Sequence, residues 1–203
     1  MLDYLLAAFQ GEGQMFMYAV TALLAFVLAV AVERGVFLGL KWRVDVPALT
    51  ALLRSGRSSE AAQAAGSTPV GEVLTAGANE ADAEAAWEAM GAAAAKAQGD
   101  LSRRVDYVAA VANMATMLGL LGTVYGLMLA FSGLGDASAG ERAVRLSEGI
   151  STAMATTAYG LLVGIPSLGL HSLLTGLVDR RIAELEQLAG ELALALRRGS
   201  SDG

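Results

Sequence analysis

YVAAVANMATMLGLLGTVYGLMLAFSGLG, residues 107–135, and GISTAMATTAYGLLVGIPSLGLHSLLTGLV, residues 149–178, decide the fold of this chain. Neither stretch contains Asp, Glu, Lys or Arg. About 20 apolar helical residues cross a hydrocarbon core of about 30 Å, so both are read as membrane-spanning helices. Each also carries a seam of small and hydroxyl residues. In the first, Ala112, Thr116, Gly119, Thr123, Gly126 and Ala130 recur at spacings of four and three; in the second, Ala153, Thr157, Gly160, Gly164, Ser167 and His171 do nearly the same. Such spacing stacks side chains on one helical face. Lipid does not call for small or polar residues, whereas helix interfaces and polar pathways do, so the seams are expected to face protein or an ion route.

Working outward, residues 15–32 form a third apolar run between Glu12 and Glu33, within a first transmembrane helix assigned to 15–40. No basic segment precedes it, so it is read as a retained span, not a cleaved signal. Residues 1–14 are expected to form a short interfacial helix with Leu2, Leu5, Leu6 and Phe9 on one side. The hydrophobic share, 55% of the 203 residues, fits an all-α membrane protein.

Basic residues set the expected orientation. Of fourteen Lys and Arg, eight fall within 33–106 and four after Val178; only Arg142 and Arg145 lie in the short 136–148 connection. The insert 41–106 and the tail 179–203 are therefore expected in the cytoplasm, with the N-terminus and residues 136–148 outside.

The Ala-rich insert reads as helical. Asp45 with Pro47, Ser58-Ser59-Glu60 and Thr68-Pro69 open three short helices that end near Gly56, Gly66 and Gly77. Asn79 is expected to cap a long helix that passes Arg103 and Arg104 without a strong stop and enters the membrane as one rod. Ile182, Leu185, Ala189, Leu192 and Leu196 continue a spacing of three and four beyond the third span. The second and third spans are thus expected to extend into a cytoplasmic helical bundle.

Several chemistries lack their residues. The chain has no cysteine and one histidine, His171, and no clustered carboxylates, which argues against a metal centre or other cofactor. No nucleotide loop, nucleophile elbow or catalytic carboxylate pair is present, so the chain is read as non-enzymatic. No basic stripe with interleaved aromatics points to nucleic acid, despite the net charge of −6.

LGLLGTVYGLM, residues 118–128, with GISTAMATTAYGLLVGIP, residues 149–166, resembles the ExbB/TolQ/MotA family, the ring-forming subunits of ion-driven inner-membrane motors. The likeness is close over roughly 100–178, and the three-span layout places it nearer ExbB and TolQ than the four-span MotA. The resemblance implies a homopentameric ring in the bacterial inner membrane around two copies of a single-span ExbD/TolR-type partner. That partner brings one membrane-embedded Asp per chain. The residues agree on one point independently: neither seam holds a carboxylate, so another chain must supply the usual proton or sodium carrier.

The two motif threonines are Thr123 and Thr157. Counting about 1.5 Å per residue from Gly133 and Gly149 puts both roughly 12–15 Å below the outer surface, near the bilayer midplane. Thr116, Thr152 and Thr156 are grouped with them as ion-route lining. Gly119, Gly126, Gly160 and Gly164 are expected to pack helices closely, facing lipid if the chain stayed monomeric. Pro166 is expected to act as a hinge, and His171 as a polar group at the inner mouth with a possible relay role. Tyr125 and Tyr159 read either as fillers or as contacts to the partner. Two positions depart from the family pattern: Thr116 stands where relatives often have Pro, and Thr152 where many have Glu. A self-sufficient channel and a structural scaffold are the competing readings. The first lacks a buried charge and an inverted repeat; the second leaves two threonines at matched depth unexplained.

Overall fold

In the computed structural model, residues 9–42, 44–80, 82–132 and 138–201 are described, and all their regular structure is helical. Helix α1 (Gln14–Val36) runs on into a π-helical segment at Phe37–Lys41. Helices α2 (Val46–Arg54), α3 (Ser58–Ala65), α4 (Pro69–Ala78) and α5 (Ala83–Ser102) follow. Helix α6 (Val105–Ser132) and helix α7 (Ala139–Ser201) complete the chain. Three segments, Gln14–Gly39, Glu84–Ser132 and Ala139–Arg198, are long and apolar enough to cross a membrane. The interfacial helix expected at 1–14 lies mostly outside the described residues; residues 9–13 form turns and bends.

The helix boundaries have local causes. Asp45 accepts from the Ala48 N–H at 3.2 Å to cap α2, and Thr68 accepts from the Gly71 N–H at 3.1 Å to cap α4, each with proline in the first turn. Helix α5 begins later than expected. Asp82 accepts from both the Glu84 and Ala85 N–H groups at 3.1 Å, while Asn79 closes α4. The long rod expected through Arg103 is also interrupted. Arg104 has a φ of 70°, in the left-handed region, and the helix restarts at Val105. At the other end, α7 starts ten residues before Gly149. Ser138 and Glu141 form a reciprocal cap there: the carboxylate accepts from the Ser138 N–H at 2.9 Å and hydroxyl at 2.8 Å, and the Ser138 hydroxyl lies 3.4 Å from the Glu141 N–H.

The chain divides into two compact units. The first comprises residues up to Val32 and Arg104–Ser172, and so holds the apolar part of α1 with α6 and the first half of α7. Val20, Ala115 and Val163 are buried at its centre, with Leu23, Leu24, Leu118 and Tyr159 packed around them. The second comprises Glu33–Arg103 and Leu173 onward. Its core includes Leu53, Leu74, Met90, Leu101, Leu188 and Leu192, all nearly or fully inaccessible. Gly77 admits the Met90 side chain and Leu192 Cδ2 there. Arg34, also buried, donates from Nη1 to the Asp100 carbonyl at 2.9 Å and lies over the Phe37 ring, so a cation satisfies one of the last carbonyls of α5. Arg54 holds Glu191 through a forked set of hydrogen bonds, joining α2 to the tail of α7.

Candidate ion-route site

The site is built on close backbone approach in the first unit. A methyl group on Gly160 would lie 2.8 Å from both the Ala115 carbonyl oxygen and the Gly119 Cα. One on Gly126 would lie 2.6 Å from the Ala153 nitrogen and 2.8 Å from the Gly149 oxygen. Gly164 abuts the Thr116 hydroxyl. Without water to drive apolar groups together, small residues of this kind let helices gain contact by approaching. All four predicted packing glycines are therefore buried between α6 and α7 of a single chain. They do not face lipid in an isolated subunit, contrary to the expectation from sequence.

That approach brings Thr123 of α6 against Thr157 of α7. Their hydroxyls are hydrogen-bonded to each other, and both converge on the Gly119 carbonyl, at 3.3 Å for Thr123 and 3.1 Å for Thr157. Each hydroxyl has one hydrogen, so only two of the three contacts are donated at once. Lone pairs remain for an outside donor, such as a protonated carboxyl or a hydrated proton. Both threonines are half-buried, and the side chains flanking them, Leu120, Leu127, Met154 and Leu161, are exposed and apolar.

The other threonines are placed differently. Thr116 donates to the Ala112 carbonyl at 3.1 Å, one turn back in its own helix. Thr156 is buried against Gly122 and lies 3.0 Å from the Thr152 carbonyl and 3.1 Å from that of Ala153. Thr152 meets Gly13 of the turn before α1. His171 places Nδ1 3.1 Å from the Val105 carbonyl. A carbonyl only accepts, so Nδ1 carries the hydrogen in that contact. Pro166 lies on the exposed side of an unbroken α7.

One polar contact was missed from sequence. Thr21 of α1 donates to the Met17 carbonyl at 2.8 Å and lies 2.9 Å from the Tyr159 hydroxyl. With its own hydrogen committed, Thr21 accepts from Tyr159, which ties α1 to α7. Phe9 packs edge-on against Tyr159, and Phe16 lies against Tyr125 at 5.4 Å. The available signal was Thr21 itself, the sole threonine in an apolar run.

Several known proteins are similar to this chain in sequence. Biopolymer transport protein ExbB of Aquifex aeolicus is 34% identical over 97 residues, covering 48% of this chain and 65% of that protein. A putative biopolymer transport protein, ExbB-like 2, of Helicobacter pylori is 40% identical over 74 residues, 36% of this chain and 49% of the relative. Biopolymer transport protein exbB1 of Vibrio cholerae is 41% identical over 70 residues, 34% and 31% respectively. The chain thus spans less than two thirds of the length of each of these relatives. Residues 65–187, more than half of the chain and including both threonines and their glycine supports, match the MotA/TolQ/ExbB proton channel family, and the chain belongs to that family.

Proposed function

We propose that this chain is the ring-forming subunit of an inner-membrane motor driven by a proton or sodium gradient. Five copies surround two copies of a single-span ExbD/TolR-type partner, whose membrane Asp carries the ion. The N-terminus is periplasmic, and 41–106 and 179–203 are cytoplasmic. Ion flow turns the ring relative to the partner, and the partner delivers that motion as work on the cell envelope, such as biopolymer transport, envelope maintenance or gliding.

The observation that carries this reading is the Thr123–Thr157 hydroxyl pair, polar and half-buried on an otherwise apolar face. Neither seam of small and hydroxyl residues supplies a carboxylate of its own. A partner Asp facing hydrocarbon alone is expensive to ionise, and oxygen atoms at its depth lower that cost. Thr116, Thr152 and Thr156 contribute polarity and packing on either side of the pair.

The test is Thr123→Val with Thr157→Val, which keeps shape and removes both hydroxyls. Each lost hydrogen bond should cost only about 1 kcal/mol of stability, so the complex should still purify with its partner. Ion-driven work should be lost. Normal work in the double variant would make these hydroxyls packing residues and overturn the site assignment.

A further inference from the structure

Among its described residues the second unit exposes few large apolar side chains. Val36, Leu173 and Leu177 stand at or within four residues of Glu33 and Leu173, where the chain enters that unit. The other two are Trp87 on α5, 58% exposed, and Leu194 on α7, 51% exposed. Lys96, Asp100 and Arg103 separate Trp87 from the uncharged run at 107–135. Asp179, Arg180 and Glu184 separate Leu194 from the run that ends at Val178. Charges so placed keep acyl chains from covering either side chain. A lone exposed leucine is ordinary, but an exposed tryptophan leaves one of the largest apolar surfaces in water.

The two side chains stand at one level. Gly77 meets both Met90 and Leu192, so those residues share a height along α5 and the tail of α7. Gln98 and Leu101 line a cleft with Ile182 and Leu185, so the two helices run in opposite directions. Trp87 is three residues from Met90 and Leu194 two from Leu192, both on the side away from that cleft. Their heights therefore differ by only about 1.5 Å. Their rims carry opposite charge. Glu84 lies one turn before Trp87 with Glu88 stacked over it, and Arg197 and Arg198 lie one turn after Leu194, all four exposed. Neither carboxylate is ion-paired among the described residues. Copies held in one membrane are related by rotation about its normal, so a patch reaches the next copy only at its own height. Two different patches at one height can close a ring without climbing into a filament.

We infer that Trp87 of each copy packs on Leu194 of the next, with Glu84 and Glu88 facing Arg197 and Arg198 across the joint. Tryptophan and arginine are the residues that most often dominate such contacts. The inference rests on the ring reading above and assigns a surface that joins its subunits outside the apolar spans.

The chain has no cysteine, so one can be placed in each of two differently tagged full-length copies expressed together with the partner. Trp87→Cys in one copy and Leu194→Cys in the other should be joined by a short bis-maleimide in intact membranes, giving a product with both tags. A linker is used because a tryptophan–leucine contact holds backbones further apart than a disulfide allows. Either variant expressed alone should stay unlinked. Lys96→Cys is the control for Trp87→Cys, since Lys96 is exposed half a turn round α5 and about 13.5 Å along it. A mixed product no stronger than this control overturns the inference, and so does linkage between two copies of one variant, which would mean a two-fold contact. Glu88→Arg in the Trp87→Cys copy should lower the yield about threefold, and Arg198→Glu in the Leu194→Cys copy should restore it. A yield unmoved by the first reversal, or left low by the second, overturns the charge pairing across the joint. A wild-type chain that is monomeric by native mass measurement would defeat the ring reading itself. An oligomer whose mixed cysteines do not link defeats this inference alone.

Discussion

Gly119 and Gly160 let α6 and α7 approach closely enough for Thr123 and Thr157 to bond across the gap. A single methyl at Gly160 collides with backbone atoms, the Ala115 oxygen and Gly119 Cα, which cannot swing away as a side-chain tip can. Gly160→Ala should therefore destabilise the subunit by about 1–3 kcal/mol and separate the hydroxyls. Denaturant titration in detergent measures this, and unchanged stability would contradict the packing account. A methyl added at Gly169 would meet nothing within 4 Å, so that position should accept alanine freely. The recurrence at three and four made the shared face of these residues legible in sequence, threonine pair included. What covers that face was not legible, because spacing specifies a direction around one helix and says nothing of the neighbour. Hence the glycines expected against lipid lie against the facing helix: Gly119 and Gly160 against each other, Gly126 against Gly149 and Ala153, and Gly164 against Ala112 and Thr116. The same limit separates Thr156, turned into the glycine seam, from adjacent Thr157, which reaches across to α6.

Helix ends followed local chemistry wherever the cap was close in sequence to the helix it starts, as with Asp45 and Thr68. The misplaced ends had competing caps or needed tertiary support. Asn79 and Asp82 both suit a cap; Asp82 takes it because its carboxylate reaches two N–H groups at once. The break at Arg103–Arg104 has no glycine or proline to announce it. It depends on a left-handed arginine and on the Asp100 carbonyl finding Arg34 from a distant helix. Between α2 and the tail of α7, the Arg54 guanidinium holds the Glu191 carboxyl below the usual carboxylate range, chiefly by hydrogen bonding and then by charge. A depressed carboxyl pKa contributes stability above its unfolded value, about 4.3, and that contribution is lost as pH falls through the folded value. The second unit should thus lose stability below about pH 4, and Glu191→Gln should remove this part of the dependence. Acid titration of thermal unfolding checks it; an unchanged profile in the variant would assign the acid sensitivity elsewhere.

For the whole molecule, an all-α chain with three apolar helical segments was legible from uncharged run lengths, and membership of the family from the two span motifs. Orientation rests on the asymmetry of basic residues. Cysteines replacing Glu60 and Ser138 should label from opposite sides of the membrane, cytoplasmic and periplasmic respectively; labelling of both from one side would refute the orientation. Beneath the proposed function lies a division of labour: this chain shapes a polar pathway, and a partner carboxylate carries the ion along it. Proton flux into vesicles checks that division in three preparations: this chain alone, this chain with its single-span partner, and this chain with a partner whose membrane Asp is changed to Asn. Flux is expected only in the second preparation. Flux through this chain alone, or undiminished flux with the Asn partner, would contradict the division.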